Sequence, residues 1–324
     1  MRRRTLLGAA VATLALPAIR PSFAQGWRPT RPITMVVPFA AGSGTDAGAR
    51  ILAQVMSEAL GGGAIVVDNR AGANGSIAAG YVARAEPDGH TLFVTTNTTH
   101  SANPALLKRL DYDPVADFAP IARVGNLPFM LVVGENSPVK DAKGFLEMAR
   151  QRRGQMSYAS GNSTGIVAGA TMARLAGTEM LHVPYRSTPP AITDVIAGRV
   201  DCMFVDIAAG LGNLRAGKLR NLGMSTKDRS RLMPDTPTLA EAALPGFDIT
   251  SWNGVFAPAR TPAPVIEALN AAIRGPIERP EVKQRFAEIG FDAFSGTPQE
   301  LGDFVKQQIV VWREMVEAAG IPKE

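Results

Sequence analysis

The chain has 324 residues, with 34 lysines and arginines against 29 acids, 46% hydrophobic residues, three histidines and one cysteine. A chain of this length exceeds a comfortable single core, so two lobes are expected. A lone Cys202 excludes an internal disulfide, and the lack of a basic stripe with interleaved aromatics excludes a nucleic-acid surface.

The N-terminus reads as an export signal. Arg2-Arg3-Arg4 precedes the apolar run Leu6 to Leu16, and Ser22-Phe23-Ala24 forms a small-x-small cleavage site before Gln25. The run is too short to span a membrane stably. Arg3-Arg4-Thr5-Leu6-Leu7 fits a twin-arginine pattern, with an uncleaved basic anchor as the alternative. Removing residues 1–24 takes away four arginines and no acid, leaving 30 basic against 29 acidic residues. Most of the excess charge therefore belongs to the targeting segment, and the mature chain is expected in the periplasm.

From there the pattern alternates Val/Ile-rich runs with Ala-rich helical stretches, which predicts an α/β class. Strands are expected at Ile33–Val37, Ala64–Val67, Thr91–Thr95, Ala119–Val124, Met130–Val133, Met156–Ala159, Leu181–Val183, Cys202–Asp206, Leu219–Met224 and Gly254–Ala257. Helices are expected at Asp46–Leu60, Ser76–Ala85, Ala142–Gln151, Gly165–Ala176, Pro190–Ala197, Ile207–Ala216, Pro262–Arg274, Glu281–Ile289 and Pro298–Ala319. Ser137-Pro138 and Thr297-Pro298 each place a hydroxyl and a proline at an expected helix start. Cys202, inside an apolar run, reads as a small core residue.

Two stretches share one plan, an apolar strand entering a Gly/Ser/Thr loop and then an Ala-rich helix. The loops are Pro38-Phe39-Ala40-Ala41-Gly42-Ser43-Gly44-Thr45-Asp46 and Tyr158-Ala159-Ser160-Gly161-Asn162-Ser163-Thr164-Gly165. A helix start presents unpaired N–H groups and a positive dipole end, so each loop is a candidate anion seat. The first lacks G-x-G-x-x-G spacing and the lysine of a phosphate loop, so a small carboxylate suits it better than a nucleotide. Asp46 is either a first-turn acid stabilised by the dipole or a group that orients water or a ligand's cationic substituent. His90, His100 and His182 show no metal or protease spacing, and no G-x-S-x-G elbow occurs, so binding is favoured over catalysis with no cofactor or metal.

A run of ordered motifs now becomes informative: Val36-Val37-Pro38-Phe39, Gly42-Ser43-Gly44-Thr45-Asp46, Val67-Asp68-Asn69-Arg70-Ala71-Gly72-Ala73, Pro87-Asp88-Gly89-His90-Thr91-Leu92 and Asp111-Tyr112-Asp113-Pro114. They continue through Asp117-Phe118-Ala119-Pro120, His182-Val183-Pro184-Tyr185, Ala216-Gly217-Lys218-Leu219-Arg220, Pro237-Thr238 with Glu241, and Leu244-Pro245-Gly246-Phe247. Over essentially its whole length the chain resembles the Bug family, extracytoplasmic solute receptors of tripartite tricarboxylate transporters. The resemblance implies a two-lobed periplasmic binding protein fold, each lobe a mixed sheet flanked by helices, with residues 25–125 plus 252–324 in one lobe and 126–251 in the other. It implies a monomer that closes over a small carboxylate and delivers it to a membrane permease. A carboxylate gripped between two loops carries over onto Phe39, Ala40, Gly42, Ser43, Gly44, Thr45 and Asp46 of one lobe, and Ser160, Gly161, Asn162, Ser163 and Thr164 of the other.

Further wall positions are less specific. Thr95, Thr96 and Asn97 end a strand and either bond the distal ligand or form a plain polar strand end. Tyr185 suits a cleft wall or a half-buried core site. Asp206 is followed by Ile207 where the family often has asparagine, which leaves Asp206 as a partner for a hydroxyl or ammonium. Arg186-Ser187 stands where Lys-Gly is common, so Arg186 is either a second carboxylate clamp or a solvated charge. A membrane sensor with the same pocket, or an exported hydrolase, are the alternative functions.

Overall fold

The computed structural model describes residues 27–324, so the expected signal at 1–24 lies outside the described residues. In chain order the first elements are β1 (Ile33–Val37), α1 (Gly44–Ala59), β2 (Ile65–Asn69), α2 (Ser76–Ala83), β3 (Thr91–Thr96), a π-helical turn at Thr98–Ala102 running into α3 (Asn103–Leu106), β4 (Phe118–Leu127) and β5 (Phe129–Gly134). There follow α4 (Ala142–Gln151), β6 (Ser157–Ser160), α5 (Ser163–Leu175), β7 (Leu181–Pro184), α6 (Thr188–Ile196), β8 (Cys202–Asp206), α7 (Ile207–Arg215) and β9 (Leu219–Met224). The chain ends with α8 (Leu239–Ala242), β10 (Ser251–Pro258), α9 (Ala263–Ile277), α10 (Pro280–Glu288), β11 (Asp292–Ala293) and α11 (Pro298–Ala318).

These strands form two mixed sheets, ordered β11-β4-β10-β3-β1-β2 and β7-β6-β8-β5-β9. Within the first, β1 lies parallel to β2 and β3, whereas β10 runs antiparallel to β3 and β4. Within the second, β6 is parallel to β7 and β8, and β5 is antiparallel to β8 and β9. Strands buried on both faces read as continuous apolar runs, as Met35-Val36-Val37 and Leu131-Val132-Val133 do.

The chain passes between the sheets where β4 gives way to β5. Pro128 has no N–H to continue a ladder, and its carbonyl instead accepts from Ile207 N at 3.0 Å. The return is β10, which pairs with β4 from Ser251 opposite Leu127 to Pro258 opposite Phe118. Gly125 sits in that pairing with φ +142°, and a Cβ there would lie 2.2 Å from the Asp292 carbonyl, so only glycine lets β11 dock on this edge.

All ten expected strands form and all nine expected helices form, with shifted ends. The helices of the two loops begin earlier than their sequence suggests, at Gly44 and Ser163, because Ser43 and Asn162 act as N-caps: their side chains accept from Asp46 N and Gly165 N. The expected start at Ser137-Pro138 is corrected. Helix α4 is capped by Asp141, while Arg220 binds the carbonyls of Ser137 and Val139 and holds that stretch out of the helix. The turn and helix over 98–106, α8 and β11 were not anticipated. Thr98 to Asn103 reads as a polar loop, yet every one of its residues is buried.

Candidate functional site

In the first sheet β1 and β3 end side by side, and in the second β6 and β8 do the same; ligands of such sheets bind outside the carboxyl ends of strands. The β1–α1 loop is tightly built. Gly42 turns the chain at φ +83°, and its N–H donates to Asp46 Oδ2 at 3.0 Å. Asn69 Nδ2 donates to both the Phe39 carbonyl and Asp46 Oδ1, and Arg50 donates to Asp46 Oδ2. The Asp46 carboxylate is therefore satisfied within its own lobe, which agrees with the first-turn-acid reading. It leaves the first-turn N–H groups of Gly44 and Thr45 without intrahelical partners, as at any helix start.

The β6–α5 loop repeats the design. Asn162 Oδ1 accepts from Gly165 N at 2.9 Å, leaving the Ser163 and Thr164 amides at the opening turn. Gly161 is close-packed: a Cβ would lie 2.3 Å from Thr188 N. Two further helix starts converge here. Asp206 caps α7 by accepting from Ala209 N at 2.8 Å, and Ser187 precedes α6. Ser187 does not cap its own helix; its hydroxyl accepts from Ala40 N of the opposite loop at 3.1 Å.

The two sides thus touch directly. Asn97 Nδ2 donates to Thr164 Oγ1 at 3.0 Å, and Ser251 Oγ donates to Asn97 Oδ1 at 2.6 Å. Asn74 Nδ2 donates to Ser163 Oγ at 2.6 Å, and Ser163 Oγ donates to Asn103 Oδ1 at 3.3 Å. Gly44 meets Asp206 so closely that a Cβ at 44 would lie 2.0 Å from Asp206 Oδ1. Between the loops is a cavity with room for about one water, walled by Ser43, Gly44 and Thr45 on one side and Asn162, Thr188 and Asp206 on the other. Phe39, Thr96, Leu127, Phe129 and Ser251 complete it. Asp206 is fully buried, and that burial pushes its carboxyl up to about 6.

Residues 48–321 match the family described as the tripartite tricarboxylate transporter family receptor. The chain belongs to this family. The receptor is 40% identical over 318 residues to a UPF0065 protein from the tcbD-tcbE intergenic region of Pseudomonas sp. (strain P51), covering 97% of this chain and 94% of that one. Among solved structures it resembles the R. palustris protein Rpa4515 with adipate, at 34% identity and a TM-score of 0.89, covering 91% and 99% of the two chains. It also resembles the periplasmic binding protein BugD, at 32% identity and a TM-score of 0.86, covering 91% and 100%. The receptor therefore has the two-lobed fold of periplasmic solute-binding proteins.

Not every expected wall position reaches the cavity. Thr95 Oγ1 pairs with Thr99 Oγ1 at 2.7 Å inside its own lobe. Ser160 Oγ bonds His182 Nε2 at 2.6 Å, and with Gly161, Tyr185 and Arg186 it lines a separate space of about 210 Å³, walled opposite by Asn74, Leu106 and Ile321. Asn162 borders both spaces. The Tyr185 hydroxyl donates to Asp194, whose other oxygen takes Arg199, so its polar tip is already engaged. Sequence reasoning missed Asn74, Asn103, Ser187, Thr188 and Ser251. Only Ser187-Thr188-Pro189-Pro190 carried a visible signal, the hydroxyl-then-proline pattern of a helix start. Among the described residues no group of three or more His, Cys, Asp or Glu side chains is placed to hold a metal, and no helix is long and apolar enough to cross a membrane.

Proposed function

We propose that this family member is an exported receptor that captures a small carboxylate-bearing solute between its lobes and delivers it to a membrane permease of the tripartite tricarboxylate type. The observation that carries the reading is the convergence of helix starts: α1 meets α5, α6 and α7 of the other lobe around one cavity. Each presents N–H donors or a hydroxyl, which recognise an anionic oxygen without a lysine. The adipate bound by Rpa4515 is a solute of this chemistry.

On this reading Ser43, Gly44 and Thr45 hold one side of the carboxylate and Asn162, Ser163 and Thr164 the other. Phe39, Ala40, Gly42, Thr96 and Asn97 shape the pocket, and Asp46 fixes the first loop. Asp206 faces the solute's hydrogen-bond donors, while Ser160, Gly161, Tyr185 and Arg186 face its distal part. The lobes divide at 125/126 and 251/252, and residues 1–24 are removed near Ala24 on export. The mature receptor acts as a monomer without a cofactor.

The mechanism is a population shift. Direct contacts such as Ala40 to Ser187 and Asn97 to Thr164 hold the lobes together around a cavity with room for about one water. A carboxylate oxygen takes that water's place, the rest of the solute extends past Asn162 towards the neighbouring space of about 210 Å³, and bonding both loops adds stability to the closed form alone. A solute touching one loop shifts nothing. Titrating mono-, di- and tricarboxylates into the mature protein, followed by calorimetry and by emission of the buried Trp252 near the β10 crossing, tests this. Saturable binding of a carboxylate supports the reading; binding of only a neutral solute or a nucleotide overturns it.

A further inference from the structure

Asn162 is shared by the one-water cavity and the second interlobe space of about 210 Å³. That second space takes apolar walls from both lobes: Leu106, Leu107, Ile321 and Pro322 from the first, Ile166 and Pro184 from the second. Leu106 is buried, and Leu107, Ile166 and Ile321 are half-buried against the main core.

Local rules build the wall beyond α11. The helix stops in a glycine cap: Gly320 takes φ +68°, its N–H donates to the Glu317 carbonyl, and the Ile321 N–H reaches back to the Val316 carbonyl. Ile321 is thereby turned off the helix and onto the core. Glu324 then brackets Leu107. Its N–H donates to the Leu106 carbonyl at 2.9 Å, and its main-chain oxygen accepts from Lys108 N at 2.8 Å. Lys323 Nζ donates to the Pro104 carbonyl at 3.0 Å. The segment is thus tied to the end of α3, and its apolar side chains stand opposite the β6–α5 loop.

The polar groups of this space are largely engaged elsewhere. Ser160 Oγ bonds His182 Nε2, Asn74 Nδ2 is shared between Asn103 Oδ1 and Ser163 Oγ, and the Tyr185 hydroxyl donates to Asp194. Burial lowers the pKa of His182, whose ring is therefore neutral and stacks on Tyr158 at 5.0 Å. Arg186 and Glu324 line the space with one charge of each sign, and both are exposed. Together their side chains give no net attraction for a second carboxylate, whereas the hydrocarbon walls reward an apolar group. Size sets the scale. A dry cavity of about 150 Å³ walled by Leu, Ile and Phe holds benzene, so this space takes a substituted ring or a chain of about six carbons.

We propose that the solute is a monocarboxylate with an apolar tail, and that Leu106, Leu107 and Ile321 select the tail. The proposal rests on the receptor reading and names its substrate class. The protein lacking residues 1–24 is titrated by calorimetry with propanoate, butanoate, pentanoate and hexanoate, and with the dicarboxylates from succinate to adipate. Affinity rises about fourfold for each methylene of the monocarboxylate series. Hexanoate binds at least about tenfold more tightly than adipate, which has the same number of carbons but must desolvate a second charge. Ile321→Asn flattens the rise to under about twofold per methylene, and Leu107→Lys, which puts a cation in the wall, reverses the preference between hexanoate and adipate. Thermal denaturation verifies that each variant folds, and the two changes lie on separate segments.

Adipate binding as tightly as hexanoate overturns the proposal and makes Arg186 a second carboxylate clamp. So does an affinity that stays flat along the monocarboxylate series, or a rise that both folded variants leave unchanged. In each of these cases the receptor reading stands. Should no member of either series bind, the receptor reading itself fails and takes the substrate class with it.

Discussion

Replacing Gly44 by alanine separates folding of the lobes from their closure. Gly44 opens α1 with an ordinary negative φ, so alanine strains no backbone there. Its Cβ would lie 2.0 Å from Asp206 Oδ1, 2.8 Å from Asp206 Cγ and 3.1 Å from Ala208 Cβ. All three atoms belong to the other lobe. Relief requires the lobes to part by about 1 Å, and overpacking of this kind costs roughly 1–3 kcal/mol. Only the closed form bears that cost, so carboxylate affinity drops by about tenfold to a hundredfold. Calorimetry gives the affinity, X-ray scattering the closed fraction and thermal denaturation the stability. The expected result is weakened binding, a larger radius of gyration at saturating solute and an unchanged melting temperature. Affinity within about twofold of the parent refutes the opposed-loop geometry.

Closure also has a pH signature. Asp206 titrates near 6 when buried and returns toward 3.8 when the lobes open, so closure takes up a proton. The resulting preference for the closed form is fully present below about 3.8 and is lost as pH rises through about 6. Affinity is therefore about fourfold higher at pH 5.5 than at 7.5, and Asp206→Asn, which keeps the cap, abolishes that difference; an identical slope in the variant removes Asp206 from the coupling. Gly169→Ala places a Cβ 2.2 Å from the Tyr158 ring within one lobe, so it costs roughly 1–3 kcal/mol of stability and lowers the melting temperature, and an unchanged transition would contradict the packing. Thr297→Ala breaks the capping box with Glu300 at the start of α11 and costs about 1 kcal/mol in urea unfolding, with affinity unaltered.

The two loops were legible because a strand, a turn and a helix are local patterns; that they face each other followed only from the family resemblance. An apolar strand, a Gly/Ser/Thr loop and an Ala-rich run mark each strand-to-helix turn, although the helices were expected from Asp46 and Gly165 and begin at Gly44 and Ser163, where Ser43 and Asn162 cap them. What joins the loops was not legible. Asn74, Asn103 and Ser251 make their bonds over separations of 89, 60 and 154 residues, and no short-range pattern marks them. The stretch from Thr98 to Asn103 has the composition of a solvated loop, and only tertiary burial folds it into a turn. Tyr185 and Arg186, expected as cleft-wall positions, line the space beside the second loop, and the Tyr185 hydroxyl goes to Asp194 because that carboxylate is on the next helix, nine residues on.

The central claim is that one carboxylate is held by both loops at once. It is tested most directly by amide NMR of the receptor lacking residues 1–24, titrated with the mono-, di- or tricarboxylate that gives saturable heat. The amides of Gly44, Thr45, Ser163 and Thr164 are predicted to move together in a single transition at one equivalent. Movement confined to one loop, or saturable heat from no carboxylate at all, contradicts the account.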